Sequence, residues 1–177
     1  VYPTLLPHQI EFILKHSENR VVFESTAEQA EKVIQIFAKV PKLKKMVVFD
    51  SSVEYDQDWI VTLDAFLEMG KKYSTASQVR YEEEARQVKA DDLFTLIYTS
   101  GTTGEPKGVM LTHDNLTSNV EAGVEALNIS EKDIFLSFLP LSHSLERMAG
   151  NLSPFSVGAR VAFAEDISTI ADNLKEI

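Results

Sequence analysis

Nine residues, Thr99–Lys107, concentrate groups that can handle phosphate: four hydroxyl side chains, two glycines and a lysine. They follow an apolar run, residues 93–97, that is typical of a buried strand. Glycine lets backbone N–H groups approach anionic oxygens closely, and consecutive N–H groups form an anion-binding nest. The hydroxyls add donors and the lysine adds a positive charge. The pattern predicts a phosphate-binding loop, although small polar residues also occur in loops that bind nothing.

Two common nucleotide-binding motifs do not fit this loop. A Walker A loop ends in Gly-Lys-Ser/Thr before its helix, whereas Lys107 lies between Pro106 and Gly108. The chain also has no Gly-x-Gly-x-x-Gly dinucleotide motif. Pro106 lacks an N–H and fixes its own φ, so the loop cannot run straight into a helix. Residues 109–111 are typical of a short strand, and we therefore expect a hairpin-like flap over phosphates.

Two blocks carry a family resemblance. Tyr98–Val109, with the sequence Tyr-Thr-Ser-Gly-Thr-Thr-Gly-Glu-Pro-Lys-Gly-Val, resembles the phosphate-loop signature of the adenylate-forming superfamily. That superfamily includes acyl-CoA synthetases, luciferases and peptide-synthetase adenylation domains. Leu139–Arg147 resembles the next signature of the family, and its Glu-Arg ending is most like the long-chain fatty acid–CoA ligases. With residues 2–14, which resemble an earlier family segment, the resemblance covers essentially the whole chain.

The resemblance implies a two-step reaction. A carboxylate attacks the α-phosphate of ATP to give an acyl-adenylate and pyrophosphate, and a thiol, usually coenzyme A, then takes the acyl group. Thr99 would supply a hydroxyl to Mg²⁺, and Lys107 would offset the charge of the phosphates. A mobile loop would wrap the β- and γ-phosphates through Ser100, Gly101, Thr102, Thr103 and Gly104.

His143 is the expected catalytic residue. A lone histidine after a strand is more often structural, but its place in Leu-Pro-Leu-Ser-His matches a family residue near the carboxylate and the α-phosphate. Its imidazole would donate to developing negative charge or gate the acyl pocket. Glu146 and Arg147 are adjacent and do not face each other on a helix, so we expect them to pair with other elements and assign them no chemistry.

The elements that position these motifs alternate between helix and strand, which predicts an α/β fold with a layered, largely parallel sheet flanked by helices. Strands are expected at residues 20–24, 45–50, 93–98, 109–111, 134–139 and 160–164. Helices are expected at residues 9–17, 27–40, 62–72, 77–89, 114–128 and 144–157, with Asp166 capping a final one. Both motifs follow carboxyl ends of expected strands, where ligands bind in parallel sheets.

Composition narrows the class of protein. A chain of 177 residues with 44% hydrophobic and 25% charged residues is ordinary for a globular domain. The net charge of −10 argues against nucleic-acid binding, and the absence of cysteine excludes disulfides and thiolate chemistry. No apolar run is long enough to span a bilayer. We expect a cytoplasmic location, with peripheral attachment to a membrane as an alternative.

The chain starts at Val1 and ends in a helical pattern without a stop, so we expect residues 1–177 to be a single α/β segment of an N-terminal AMP-binding domain. The rest of that domain and a C-terminal domain would then be absent, and the isolated segment would be inactive and self-associate. The expected partners of the intact enzyme are a fatty acid, ATP and coenzyme A. The alternatives are an adenylation domain for aryl or amino acids, or a non-enzymatic nucleotide-binding α/β module.

Overall fold

The computed structural model of this protein describes residues 2–99 and 105–177, and describes residues 74–79 by their backbone alone. Contacts between residues divide it into two compact units, Pro3–Val88 and Lys89–Ile177. Each unit combines helices with strands. That the whole chain is one segment of a larger domain stays a prediction.

The first unit is built around a three-stranded parallel sheet with the strand order β1-β2-β3. The strands are β1 (Val21–Glu24), β2 (Lys45–Val48) and β3 (Ile60–Thr62). The helices are α1 (Pro7–His16), α2 (Ala27–Ile34) and α3 (Leu63–Arg86), with a 3₁₀ turn at Phe37–Lys39. Strand β2 lies in the centre, and its residues 46–48 are completely buried, as expected for a strand of a covered parallel sheet.

Apolar faces of α1, α2 and β2 form the core of this unit. Ile10 and Leu14 are one turn apart on α1, and Ala30 and Val33 lie at similar spacing on α2, so each helix presents one apolar stripe. These side chains pack with Met46 of β2. The 3.6-residue spacing of the apolar positions is the reason that the sequence predicts both helices correctly in kind.

Three helix predictions for this unit are wrong in their bounds. The helix expected over residues 27–40 ends at Ile34, and a 3₁₀ turn continues toward Val40, which precedes Pro41 and is therefore disfavoured in a helical conformation. The helices expected at residues 62–72 and 77–89 are the single helix α3. Its exposed second half is supported by pairs such as Arg80 and Glu84, whose N···O distance is 2.8 Å.

The second unit contains two separate two-stranded sheets. One is an antiparallel hairpin of β4 (Leu93–Thr99) and β5 (Lys107–Thr112), and the other is a parallel pair of β6 (Ile134–Ser137) and β7 (Arg160–Phe163). The helices are α4 (His113–Leu127), α5 (Ser153–Val157) and α6 (Ile170–Glu176), the last preceded by a 3₁₀ turn at Ile167–Thr169.

The largely parallel α/β fold predicted from the sequence is confirmed. Among the described residues, β4–β5 is the one antiparallel pairing, against three parallel ones. The strands that the structure describes form three small sheets, however, so the two sequence motifs do not follow neighbouring strands of one parallel sheet.

The helix expected over residues 144–157 is in fact a π-helix, Glu146–Leu152, that leads into α5. Pro154 has no N–H to donate to the carbonyl of Gly150, so regular α-helical hydrogen bonding cannot pass this point. Single π-helical turns are rare and are frequently found at functional sites. The final helical segment begins as predicted, because the Asp166 carboxylate accepts a hydrogen bond from the backbone N–H of Ser168 at 2.8 Å.

Candidate nucleotide and acyl-transfer site

The hairpin β4–β5 holds the two ends of the predicted phosphate loop. Its register places Thr99, the last residue of β4, opposite Lys107, the first residue of β5, and both are exposed. The hairpin expected from Pro106 and the strand pattern is therefore confirmed. The predicted mobility of the loop and the roles given to its central residues lie outside the described residues: these are Ser100, Gly101, Thr102, Thr103 and Gly104.

Gly108 lies opposite Tyr98 in the hairpin, beside the loop. The ring of Tyr98 lies against its backbone, and a Cβ at Gly108 would lie 3.3 Å from Cζ of Tyr98. That distance is tighter than nine in ten real Cβ contacts. The glycine after Lys107 thus serves the packing of the hairpin, a role that the sequence pattern does not distinguish from phosphate binding.

Helix α4 anchors the far end of the hairpin. Thr112 ends β5 and caps α4: its Oγ1 accepts the backbone N–H of Asn115 at 3.2 Å, and Asn115 Oδ1 accepts the N–H of Thr112 at 3.1 Å. His113 packs edge-on against the ring of Phe94 on β4, with 5.0 Å between ring centroids. Both contacts hold the strands to the helix, and so fix the direction in which β4 and β5 leave toward the loop.

His143 lies in a turn after β6, and its ring has a defined hydrogen-bonding state. Its backbone N–H donates to the Pro140 carbonyl at 2.8 Å, and its Nδ1 accepts the backbone N–H of Leu145 at 3.3 Å. Because Nδ1 is an acceptor, the neutral imidazole carries its proton on Nε2. The side chain is exposed, so Nε2–H is a donor toward the surroundings of the turn.

Arg147 connects this turn to β4. Its Nε donates to the Leu141 carbonyl at 3.1 Å, and its Nη1 donates to Thr95 Oγ1 at 2.7 Å. Its backbone N–H also donates to the His143 carbonyl at 3.0 Å. The sequence led us to expect a partner for Arg147 but gave no indication of Thr95, which lies 52 residues away.

Glu146 is the other charged residue of the second motif, and it is buried at 5% relative exposure. Within residues 2–99 and 105–177 its Oε1 finds no hydrogen-bond partner. The carboxyl group packs against the backbone of Gly150 in the π-helix. We assigned Glu146 no role from the sequence, and no local pattern in residues 139–147 indicates that its carboxyl group is buried.

Thr99 fits a magnesium ion only as a single neutral oxygen ligand. Across the described parts of the chain, His, Asp and Glu side chains form no group of three that could hold a metal ion. Mg²⁺ commonly keeps several waters and binds through one or two protein oxygens together with substrate phosphates, so a lone hydroxyl beside a phosphate loop is compatible with it.

Every helix among residues 2–99 and 105–177 is too short or too polar to cross a bilayer.

The fold and these motifs match a known family. The family model described as AMP-binding enzyme matches residues 1–177. The chain belongs to this family.

Two curated relatives are similar to nearly the whole chain. The chain is 37% identical to fatty acyl-CoA synthetase B of Dictyostelium discoideum, over 98% of this chain and 26% of that protein. It is 34% identical to a long-chain-fatty-acid–CoA ligase of Gallus gallus, over 100% of this chain and 24% of that protein. The chain therefore spans about a quarter of the length of the curated relatives that it matches.

Solved structures share the fold. An anthranilate CoA ligase in complex with anthranoyl-AMP matches with a TM-score of 0.75 at 23% identity, over 98% of this chain and 31% of that one. The inhibitor-bound N-terminal domain of FACL13 from Mycobacterium tuberculosis matches with a TM-score of 0.72 at 20% identity, over 99% and 40%. The resemblance to adenylate-forming enzymes seen in the sequence is confirmed.

Proposed function

We propose that the full-length protein containing this chain is an ATP-dependent long-chain fatty acid–CoA ligase. It would join a fatty acid to ATP as an acyl-adenylate with release of pyrophosphate, and then transfer the acyl group to coenzyme A. The observation that carries the proposal is the pairing of Thr99 with Lys107 at the two ends of the loop. The AMP-binding family model matches the chain over its full length. The names of the curated relatives support the fatty acid as the acyl donor.

The hairpin would bind the triphosphate. Phosphoryl and nucleotidyl transfer ask a protein mainly for positioning and for stabilisation of charge. The exposed ammonium of Lys107 would offset the negative charge of the β- and γ-phosphates, and residues 100–104 would supply backbone and hydroxyl donors. The Thr99 hydroxyl would be one ligand of Mg²⁺, which neutralises phosphate charge when it is bound.

His143 would act on the reacting atoms. The acceptor role of Nδ1 leaves Nε2–H as its donor, and a neutral donor of this kind stabilises negative charge that develops on oxygen during attack at the α-phosphate. No proton transfer is required of the ring in this role. The contact with the Leu145 N–H favours this tautomer before the substrate binds.

Pyrophosphate release by the full-length protein tests the proposal, with ATP, Mg²⁺ and a panel of carboxylic acids. Release stimulated by long-chain fatty acids, and a CoA thioester on addition of coenzyme A, is the expected result. Release with aryl or amino acids alone would keep the reaction and move the substrate to another class. Absence of release with every acid would leave a nucleotide-binding module and contradict the proposal.

Location and assembly are also proposals. A cytoplasmic protein with peripheral access to a membrane would suit a substrate that partitions into lipid, and fractionation of cells that express the full-length protein would test it.

Self-association of the isolated segment is a separate expectation, based on exposed apolar side chains such as Phe155 at 70% and Phe163 at 63% relative exposure. Light scattering on residues 1–177 would show a monomer if that expectation is wrong.

A further inference from the structure

We propose that Arg147 is a positioning residue that fixes the His143 turn to strand β4, and through it to the phosphate loop. The inference rests on the proposed function for its catalytic consequence, but its structural part stands on the contacts alone. Three hydrogen bonds from one residue carry it. They reach the carbonyls of Leu141 and His143 and the hydroxyl of Thr95.

The guanidinium has the geometry for this task. Its Nε and Nη1 point to different acceptors, a backbone carbonyl at 3.1 Å and a side-chain hydroxyl at 2.7 Å. A planar group with donors in a fixed fork can satisfy both at once, whereas a lysine ammonium is a single point on a flexible stem. Arg147 and Thr95 are both partly buried, so water competes less for the bond between these two side chains than it would at the surface.

Arg147 contacts the turn at two backbone carbonyls, one before His143 and one at His143 itself. The side chain of Arg147 holds the carbonyl two residues before His143, and its backbone N–H holds the carbonyl of His143 itself. The bond from the Leu145 N–H to Nδ1 adds one contact to the imidazole ring itself. The position of the turn that carries His143 therefore depends on where Arg147 is anchored.

That anchor is the strand that ends at the phosphate loop. Thr95 precedes Thr99 by four residues on β4, which is about 13 Å along an extended strand at ~3.3 Å per residue. Strand β4 is paired with β5 along the same length, so Thr95 and the Thr99–Lys107 pair lie on one continuous hairpin. Arg147 thus links the donor expected at the α-phosphate to the loop expected around the β- and γ-phosphates. A misplacement of about 1 Å between such groups can lower a rate about 100-fold.

Hydrogen exchange tests the link without any substrate. In the full-length protein, peptides that cover residues 138–147 should exchange faster in Arg147→Gln and in Thr95→Val than in the wild type. Thr95→Ser keeps the hydroxyl and should restore wild-type exchange. Arg160→Gln is the matched control, because Arg160 is an exposed arginine of the same unit, and it should change nothing in this segment.

Kinetics test the positioning role. Arg147→Gln and Thr95→Val should each lower kcat for pyrophosphate release about tenfold, as expected for loss of a hydrogen bond to a charged group. The KM for ATP should change by less than about twofold, because no proposed ATP contact is removed. The double variant should be no slower than Arg147→Gln alone, and Arg147→Lys should behave like Arg147→Gln because it cannot reproduce the fork.

The outcomes separate this inference from the proposed function. A wild type that releases no pyrophosphate contradicts the proposed function, while the exchange data still decide whether Arg147 holds the turn. Unchanged exchange in both variants overturns the link even in an active enzyme. A lower melting temperature with unchanged kcat, or a fully active Arg147→Lys, overturns the positioning role. If Arg147→Gln does not fold, the Thr95→Val and Thr95→Ser pair decides both questions.

Discussion

The carboxyl group of Glu146 fills the space in which a side chain at Gly150 would begin. A Cβ built at Gly150 would overlap Oε1 and Cδ of Glu146, closer than real Cβ atoms approach any neighbour. The two residues are four apart in the π-helix Glu146–Leu152. A buried carboxyl group is thus accommodated because residue 150 has no side chain.

Replacing Gly150 by alanine should therefore destabilise the protein. In a helix the change ordinarily stabilises, because glycine has the higher backbone entropy in the unfolded chain. Here the added methyl group would displace the Glu146 carboxyl, which ends a flexible side chain but is buried at 5% relative exposure. We expect a cost of about 1 kcal/mol, at the lower end of the range for overpacking. Denaturant unfolding monitored by circular dichroism would show a lower midpoint for Gly150→Ala.

Two variants show whether the contact with Glu146 is the cause. Gly70→Ala, in the interior of α3 with open space around the position, should stabilise by up to about 1 kcal/mol. In a Glu146→Ala background, Gly150→Ala should lose most of its cost. An equal cost in both backgrounds would mean that the loss of stability arises elsewhere in the π-helix.

Lys107 should act mainly through its charge on ATP. Replacing it by methionine keeps the apolar stem and removes the ammonium, and we expect the KM for ATP to rise about tenfold, an effect of the size seen for a single charge contact. Lys107→Arg should retain most of the binding, since the positive charge remains. Steady-state pyrophosphate release at several ATP concentrations measures both.

Lys132→Met serves as the control for that experiment, because Lys132 is an exposed lysine of the same unit on the loop before β6. It should leave the KM for ATP as in the wild type. A similar rise in KM for Lys132→Met would indicate a general effect of net charge, and no rise for Lys107→Met would remove Lys107 from the site.

His143 should affect kcat more than substrate binding. His143→Ala removes the Nε2–H donor, and the loss of one preorganised donor to a developing negative charge typically lowers kcat about 100-fold. His143→Gln places an amide donor nearby and should recover part of that loss. His8→Gln, at an exposed position of the first unit, should have no effect. If His143→Ala raises the KM for the fatty acid and leaves kcat unchanged, the residue lines the acyl pocket and does not act on the phosphate.

The parts of the fold that the sequence predicts well are those set by local chemistry. The helical spacing of Ile10, Ile13 and Leu14 predicts α1, and the apolar run before Thr99 predicts β4. Pro106 predicts a hairpin where a helix would otherwise follow. In each case the deciding interaction lies within a few residues along the chain. The same locality allows Asp166 to be recognised as a cap.

The features that the sequence does not predict depend on distant residues or on exceptions to regular periods. The bond between Arg147 and Thr95 joins positions 52 residues apart, and no local pattern encodes it. The π-helix lies within the helix expected over residues 144–157, and no residue pattern distinguishes it from a regular α-helix. Strand β3 has three residues, too few to show an alternation. The second motif is therefore recognisable from the sequence, whereas the way it is held in place is not.

Glu24 should make stability depend on pH in the direction opposite to most acidic residues. Burial at the end of β1 raises the pKa of the Glu24 carboxyl above its ordinary value, and the charge of Lys32 offsets only part of this effect. Because the pKa is raised in the folded state, protonated Glu24 favours folding. Its contribution to the free energy of unfolding is complete below the ordinary glutamate pKa, about 4.3, and is lost as the pH rises through the raised pKa. Glu24→Gln removes this titration.

The melting temperature of Glu24→Gln should therefore equal that of the wild type near pH 4 and exceed it at pH 7, with the difference appearing between the ordinary and the raised pKa. Glu54→Gln, at an exposed position of the same unit, is the control and should show no such divergence. Differential scanning calorimetry across this range measures both. A difference that shrinks as pH rises would mean that Glu24 is stabilised as the carboxylate, and that a donor in the folded protein outweighs its burial.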